Sequence, residues 1–574
     1  MRRRSALLAL GALAGVAQAK DQSAPLKAPL DAADFDYFVE SYLRGLWQRD
    51  PDAAVAAGLF EHADRLTLPS AAVRAQRHQY TRGWLKALQG MENLAVLSPA
   101  QRMDRDMLVA KLQSDLWRLD VLREWAWNPS EHNPAGPIDQ ILNTEWDSVQ
   151  QRVKALHQRI RQLPAFYAAA RASLAGVTRE HTELALQQAP GVLSVLEDLE
   201  SHAQQQGLGA LMQPDLAKAR TAVAGYQAHL QKLLPTARRP WRLGAALYET
   251  KFGHDIQSAR TARQTFDAAL ARREEVLASM QAQALALWPT VIGPEAAPSD
   301  RFALIGRVIA KLSERHVARE KFVDEIRAQI PQLEAWVRDK DLLTLDPAKP
   351  LAVRETPAYQ RGVAGASIEA PGPYRPQDRT YYNVTPLDDL SPADAESTLR
   401  EYNHWILQIL NIHEAIPGHY TQLVYANKAP SKVKALFGSG SMIEGWAVYG
   451  ERVMIESGYG ASPEMTLMWG KWHLRSVTNT ILDYSVHVLG MGEKEALDLL
   501  VRQAFQTERE ATEKWRRVQL TSVQLTSYFS GYSEIFALRE KLQARPGFSL
   551  KGFHEQFLSY GSAPVRLIAA EMIK

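Results

Sequence analysis

Cysteine is absent from the 574 residues. That excludes disulfides and a thiol nucleophile, and it leaves His, Asp and Glu to hold any metal ion. Neither sign of charge dominates, since 67 Lys and Arg face 64 Asp and Glu. No internal repeat and no low-complexity tract is apparent. A long apolar run is missing too. The longest candidate, Ala6–Val16, falls short of the ~20 residues that span a bilayer, so no stable membrane anchor is expected.

That short run has another reading. Arg2, Arg3 and Arg4 precede it, and Ala17-Gln18-Ala19 follows it as a small-x-small cleavage pattern. Residues 1–19 are therefore expected to be a signal peptide cut before Lys20, which sends the protein to the periplasm. No cysteine stands at the cleavage point, so lipid attachment there is not expected. Cleavage removes three arginines and no acids, leaving 64 of each sign. A mature chain without net charge has no electrostatic footprint for nucleic acid.

At 46% hydrophobic and 23% charged, the chain suits a large core. Helical periodicity dominates. Phe266, Ala269, Leu270, Leu277, Met280, Ala284 and Leu287 follow it until Pro289, which is expected to end the run. Similar stretches cover 34–47, 101–125, 147–173 and 303–340, the last expected to break at Pro331. Between Leu343 and Pro386 seven prolines (347, 350, 357, 371, 373, 376 and 386) exclude a long helix. The extended pieces Ala352–Glu355, Val363–Glu369 and Thr380–Val384 predict a small β-sheet there. The expected fold is mainly α, a large helical protein with a deep cleft and a small sheet near residues 350–386. The coarse division is a helical N-terminal half over 20–290 and a catalytic half over 291–574.

The chemistry concentrates in His413-Glu414-Ala415-Ile416-Pro417-Gly418-His419. Hydrolytic zinc sites commonly use His-Glu-x-x-His, where four residues put both imidazoles on one helix face and the Glu beside the metal's water. Here the second His is six residues on. In a regular helix that places it about 9 Å along and about 240° around, too far for one metal. Pro417 has no N–H for the carbonyl of His413 and disfavours helix at Ile416, while Gly418 is conformationally free. A break that returns His419 to His413 is therefore expected. The alternative is a helix end with incidental histidines.

Glu444, 25 residues after His419, begins Glu444-Gly445-Trp446-Ala447-Val448-Tyr449-Gly450-Glu451. Two readings fit it. A carboxylate from a following helix completes a three-ligand catalytic site, whereas Ser441-Met442-Ile443-Glu444 also fits a helix-capping box. Glu451, two turns on, is either an orienting partner for a liganding histidine or a solvated charge. Asp483 and His487 share a helix face with Arg475 nearby, and read as an oxyanion donor pair or as a structural ion pair. Tyr528 and Tyr532 are candidate phenolic donors or core aromatics, and Arg539 is a candidate for a substrate carboxylate or a solvated charge.

Together these motifs resemble a bacterial exported family known only as a domain of unknown function. That family is marked by His-Glu-Ala-x-Pro-Gly-His and a later Glu-Gly-Trp-Ala-x-Tyr-x-Glu, and this chain carries both, at His413–His419 and Glu444–Glu451. The resemblance extends to Asp50-Pro51 with Gly58, to Thr356-Pro357-Ala358-Tyr359 with Pro371-Gly372-Pro373, and to Ser527-Tyr528 through Leu538-Arg539, Phe553-His554 and Gly561. Tyr420 stands where the family often has a further His, and Gly450 where Ala is commoner. The family is similar to gluzincin metallopeptidases, among which dipeptidyl peptidase III also has extra sequence between its histidines. The resemblance implies Zn2+ on His413, His419 and Glu444, with Glu414 as general base, Tyr528 and His487 as supporting catalytic residues and Asp483 as a further site residue. It implies a zinc metallopeptidase. A cleft between helical halves would favour short peptides, and the extended segment Gly365–Glu369 is expected to offer a sheet edge to the peptide backbone. Two other functions remain open at this level. One is zinc-dependent hydrolysis of a non-peptide amide or cell-wall fragment. The other is non-catalytic binding, which has no need of Glu414.

Overall fold

The computed structural model describes residues 28–349, 351–356 and 365–574. The leader expected over 1–19, the Pro357-Ala358-Tyr359 motif and Val363 lie outside them. The fold is mainly α, 71% helical, with one small three-stranded sheet.

The strands are β1 (Ala352–Glu355), β2 (Ala366–Glu369) and β3 (Tyr381–Val384), within the pieces expected to be extended. β3 lies between the others, parallel to β1 and antiparallel to β2. The dense prolines keep these strands short, because each removes a ladder donor.

Two helices run through prolines expected to stop them. Pro289 lies inside Ala262–Val291 (α1), and Pro331 inside Phe322–Asp339. A proline frees the carbonyl four residues earlier. Here those carbonyls belong to Leu285 and Arg327, both exposed residues, so each proline stands on the solvent side of its helix and not in the core. The break expected at Pro331 occurs instead after Leu312, where Arg301–Leu312 ends. There the Arg315 carbonyl accepts from His404 N at 2.9 Å, and Asn403 Nδ2 donates to Ser313 Oγ at 3.2 Å. The loop is thereby tied to the helix that carries the first site histidine.

That helix is α2 (His404–Glu414), followed by α3 (His419–Lys428), α4 (Gly440–Glu456), α5 (Pro463–His487), α6 (Glu508–Leu520) and α7 (Ser527–Gln543). α5 is buried on nearly all faces, packed along α1 and beside α2 and α7. α4 lies along α7 in backbone contact. A Cβ on Gly531 would fall 1.8 Å from the Ser441 carbonyl oxygen, so only glycine permits that approach. The main hydrophobic core joins these helices to the N-terminal ones, from Phe35 to Met572. A second core, from Val55 to Leu230, lies under the helices of residues 135–233.

Candidate metal centre

The site begins with the end of a helix. α2 stops at Glu414, and α3 starts at His419. Between them Ala415 and Gly418 leave helical dihedrals, and the Ile416–Pro417 peptide is cis. Gly418 N donates to Ile412 O at 3.0 Å, which folds the chain back over the end of α2. A Cβ at Gly418 would lie 1.8 Å from the His413 carbonyl oxygen and 2.3 Å from that of Ile412. No residue larger than glycine fits there. Trp446 Nε1 locks the turn from α4 by donating to Pro417 O at 2.8 Å. The expected break is thus present, and it brings the His413 and His419 rings to 4.7 Å between centroids at 86°.

Glu444 arrives from α4. The capping box expected at Ser441 and Glu444 is absent, because the helix starts earlier. Ser439 is the N-cap, accepting from Met442 N at 3.3 Å, and Ser441 Oγ donates to Ser527 O at 3.3 Å. Glu444 lies a turn inside the helix, with Oε2 3.7 Å from His413 Nε2 and 3.4 Å from His419 Nε2. Ligands about 2 Å from a tetrahedral ion sit about 3.3 Å apart, so these separations suit a shared cation. The Glu444 oxygen is also buried without a hydrogen-bond partner, which an unpaired carboxylate rarely tolerates. Among the described residues these three are the one group of His, Asp or Glu whose ligating atoms lie within 4.8 Å of one another.

Glu451 supports the cluster from two turns further along α4. Its Oε1 accepts from His413 Nδ1 at 2.6 Å and from Trp472 Nε1 at 3.1 Å, and its side chain is fully buried. With Nδ1 as donor, His413 keeps the Nε2 lone pair for a metal. Burial raises the Glu444 pKa, but the two imidazoles outweigh it and hold the carboxyl well below its usual range. Burial conversely lowers that of His413, and the carboxylates of Glu444 and Glu451 outweigh burial and raise it. Glu414 is half-buried and makes no hydrogen bond or ion pair among the described residues. Burial raises its pKa, against the pull of His419 and His413. A raised, unpaired carboxyl beside two imidazoles is suited to taking and returning a proton.

The remaining candidates divide. The Tyr528 ring lies nearly parallel to that of His413, 6.4 Å between centroids, and its hydroxyl accepts from Arg517 at 3.2 Å. Tyr532 is buried, and its hydroxyl accepts from Arg452 at 2.6 Å. His487, expected as a catalytic donor, has its partners elsewhere. Its Nε2 donates to the Val518 and Thr521 carbonyls, both at 2.9 Å, and its ring packs on Trp241 and Tyr248. An imidazole spent on two backbone acceptors is a structural group. Asp483 likewise accepts from Val523 N and Leu525 N, both at 3.0 Å. It thereby holds Val523 at φ +68°, a costly angle for a β-branched residue, in the turn leading into α7 and Tyr528. Arg475 pairs with Glu401 at 3.5 Å and with Glu510. Arg539 pairs with Glu456 at 2.7 Å, which occupies the guanidinium expected to take a carboxylate. Sequence reasoning missed Arg517, one of several cations on the amphipathic α6, with no local signal to single it out.

Known structures share this architecture. A putative lipoprotein of unknown function from Shewanella oneidensis is 44% identical at a TM-score of 0.85, over 94% of this chain and all of that one. A putative lipoprotein from Colwellia psychrerythraea is 16% identical at a TM-score of 0.76, over 93% of this chain and 97% of that one, a likeness of fold alone. No curated protein matches the chain. No described helix is long and apolar enough to cross a membrane. The family described as bacterial protein of unknown function (DUF885) matches residues 51–572, and the chain belongs to that family.

Proposed function

We propose that this protein is an exported zinc metallopeptidase that hydrolyses short peptides. The observation that carries the reading is the convergence of His413, His419 and the unbonded Glu444 oxygen beside a Glu414 that has no hydrogen bond or ion pair among the described residues. Two imidazoles and a carboxylate are a donor set that suits zinc and leaves room for water. A zinc ion held there supplies Lewis acidity toward a water molecule and the scissile carbonyl. Glu414 takes the proton from that water and passes it to the leaving amine. The Tyr528 oxygen accepts from Arg517, so its own O–H is free to donate to the oxygen of the tetrahedral intermediate. β2 pairs with β3 on one side, its other edge is unpaired among the described residues, and it packs against α2. We assign that edge to the substrate backbone. Export is part of the proposal. It is supported by the basic, apolar and small-x-small segments of residues 1–19, and by the description of both similar structures as putative lipoproteins.

The test compares the mature wild type with Glu414→Gln for bound metal and for cleavage of mixed short peptides. The expected result is about one zinc per chain in both proteins, with hydrolysis in Glu414→Gln reduced by at least about 100-fold. Equal hydrolysis by the two proteins would refute the assigned base, and a metal-free wild type would refute the site.

A further inference from the structure

Arg517 has no anionic partner among the described residues. It lies on α6 and is exposed, and its guanidinium donates to Gln524 Oε1 at 2.7 Å and to the Tyr528 hydroxyl at 3.2 Å, both neutral. Among the described residues no carboxylate lies within ion-pair distance of it. The nearby acids are already engaged: Glu401 by Lys471 at 3.0 Å and by Arg475, and Glu510 by Arg475. Lys514 is buried against Asn479 Oδ1 at 3.0 Å, and burial pushes its ammonium well below the usual lysine range. Among the described residues, the wall of the site beside Tyr528 therefore keeps an accessible positive charge, on a guanidinium held by two hydrogen bonds with donors to spare.

A solvated surface arginine is common, and exposure alone makes no site. What separates Arg517 from Arg516, its neighbour on α6, is where it is held. Arg516 reaches away to Gln187, whereas Arg517 grips the phenol whose ring lies over His413. From the His413 ring to Arg517 through that tyrosine is at most about 12 Å, which three or four extended residues span. An arginine fork binds carboxylates through paired charge-assisted hydrogen bonds.

Resting on the peptidase reading, we propose that Arg517 binds the C-terminal carboxylate of the substrate, so that the enzyme releases a short C-terminal fragment of about four residues or fewer. Arg517 is then the specificity-determining residue, and a free peptide C-terminus is the feature recognised.

The test has a binding arm and a turnover arm. N-acetylated tetrapeptides, as free acid and as C-terminal amide, are titrated calorimetrically into the full mature chain and into Arg517→Gln, Arg517→Lys and Arg516→Gln. The wild type should bind the acid about 10- to 100-fold more tightly than the amide, the range expected for a charged hydrogen bond. Arg517→Gln should bring the acid to the affinity of the amide, Arg517→Lys should restore part of the difference, and Arg516→Gln should leave it intact. In turnover by the zinc-loaded enzyme, Arg517→Gln should raise KM for the acid by a larger factor than for the amide, whereas any loss from releasing the Tyr528 hydroxyl should lower kcat for both peptides alike. Equal wild-type affinity for acid and amide would overturn the proposal, as would an unchanged ratio in Arg517→Gln or an equal loss in Arg516→Gln. If the zinc-loaded wild type cleaves neither peptide, the peptidase reading fails, and the binding arm still decides whether Arg517 recognises a carboxylate.

Discussion

His413 presents two nitrogens with separate tasks. Nδ1 donates to Glu451, and Nε2 faces Glu444 across 3.7 Å. Glu451 stood in the sequence as an orienting group or a solvated charge, and its complete burial against His413 and Trp472 excludes the second. Replacing it with Gln keeps the shape and a hydrogen bond but removes the charge that favours the ligating tautomer. Glu451→Gln should weaken zinc binding by about 10- to 100-fold in competition with a chelator, with the circular dichroism of the fold unchanged. An unaltered zinc affinity would mean that Glu451 does not tune the site. Arg539 and His487 mark the opposite limit of residue-level reading. Their types suit a substrate carboxylate and an oxyanion, yet Glu456 occupies one and two backbone carbonyls the other.

At the scale of elements, the turn between α2 and α3 is specified almost wholly by local chemistry. Pro417 withholds the donor that would continue the helix, and Gly418 alone fits against the His413 carbonyl. In Gly418→Ala a methyl group would meet backbone, which has no rotamer to escape into. The expected cost is about 1–3 kcal/mol or more, as for overpacked interiors, with displacement of His419 from the cluster. Denaturant unfolding should show the first and zinc competition the second, and wild-type values in both would contradict the close approach. The opposite case is α4. Its start at Ser439 and the direction of Glu444 depend on α7, whose Gly531 backbone lies against Ser441. A capping box and a metal ligand look alike until that partner is in place.

Across the whole molecule, segments far apart in sequence hold the site together. His554, near the C-terminus, donates from Nδ1 to Leu342 O at 2.8 Å and accepts at Nε2 from the Tyr449 hydroxyl at 2.9 Å, beneath the helix that carries Glu444 and Glu451. At the other end, Tyr374 N donates to Ala57 O at 3.4 Å, and Trp47 Nε1 donates to the Tyr374 hydroxyl at 3.1 Å, joining the first helices to the proline-rich segment. Burial pushes the pKa of His554 down to about 4, and that of His132 likewise to about 4. The unfolded chain titrates near 6.5, so below that pH it takes up protons that the folded protein refuses. Stability from these two groups is therefore complete above about pH 6.5, falls as the pH drops toward 4, and changes no further below it. The loss is of the order of a few kcal/mol for each group. Urea midpoints of the parent should fall between pH 7.5 and 4.5. His554→Gln, which carries no titrating ring, should show a smaller fall, and parallel curves for the two proteins would remove His554 from the acid response.

Some of this was legible in the sequence. The three strands lie where prolines isolate short extended pieces, and the helices follow the apolar period, because both signals arise within a few residues of one another. The broken helix at Pro417 and Gly418 belongs with them, since a missing N–H and a missing Cβ act where they stand. Pro289 and Pro331 did not end their helices, because what mattered was which face they occupied, and that is set by the rest of the core. The direction of Glu444, the burial of Glu451 and the meeting of Arg517 with Tyr528 depend likewise on helices separated along the chain and brought together by packing. The sequence by itself determined the donor types and the turn that doubles back. The tertiary structure decided which carboxylate faces the histidines and which cation stands free beside them, because burial and distance belong to the packed molecule and not to any segment of it.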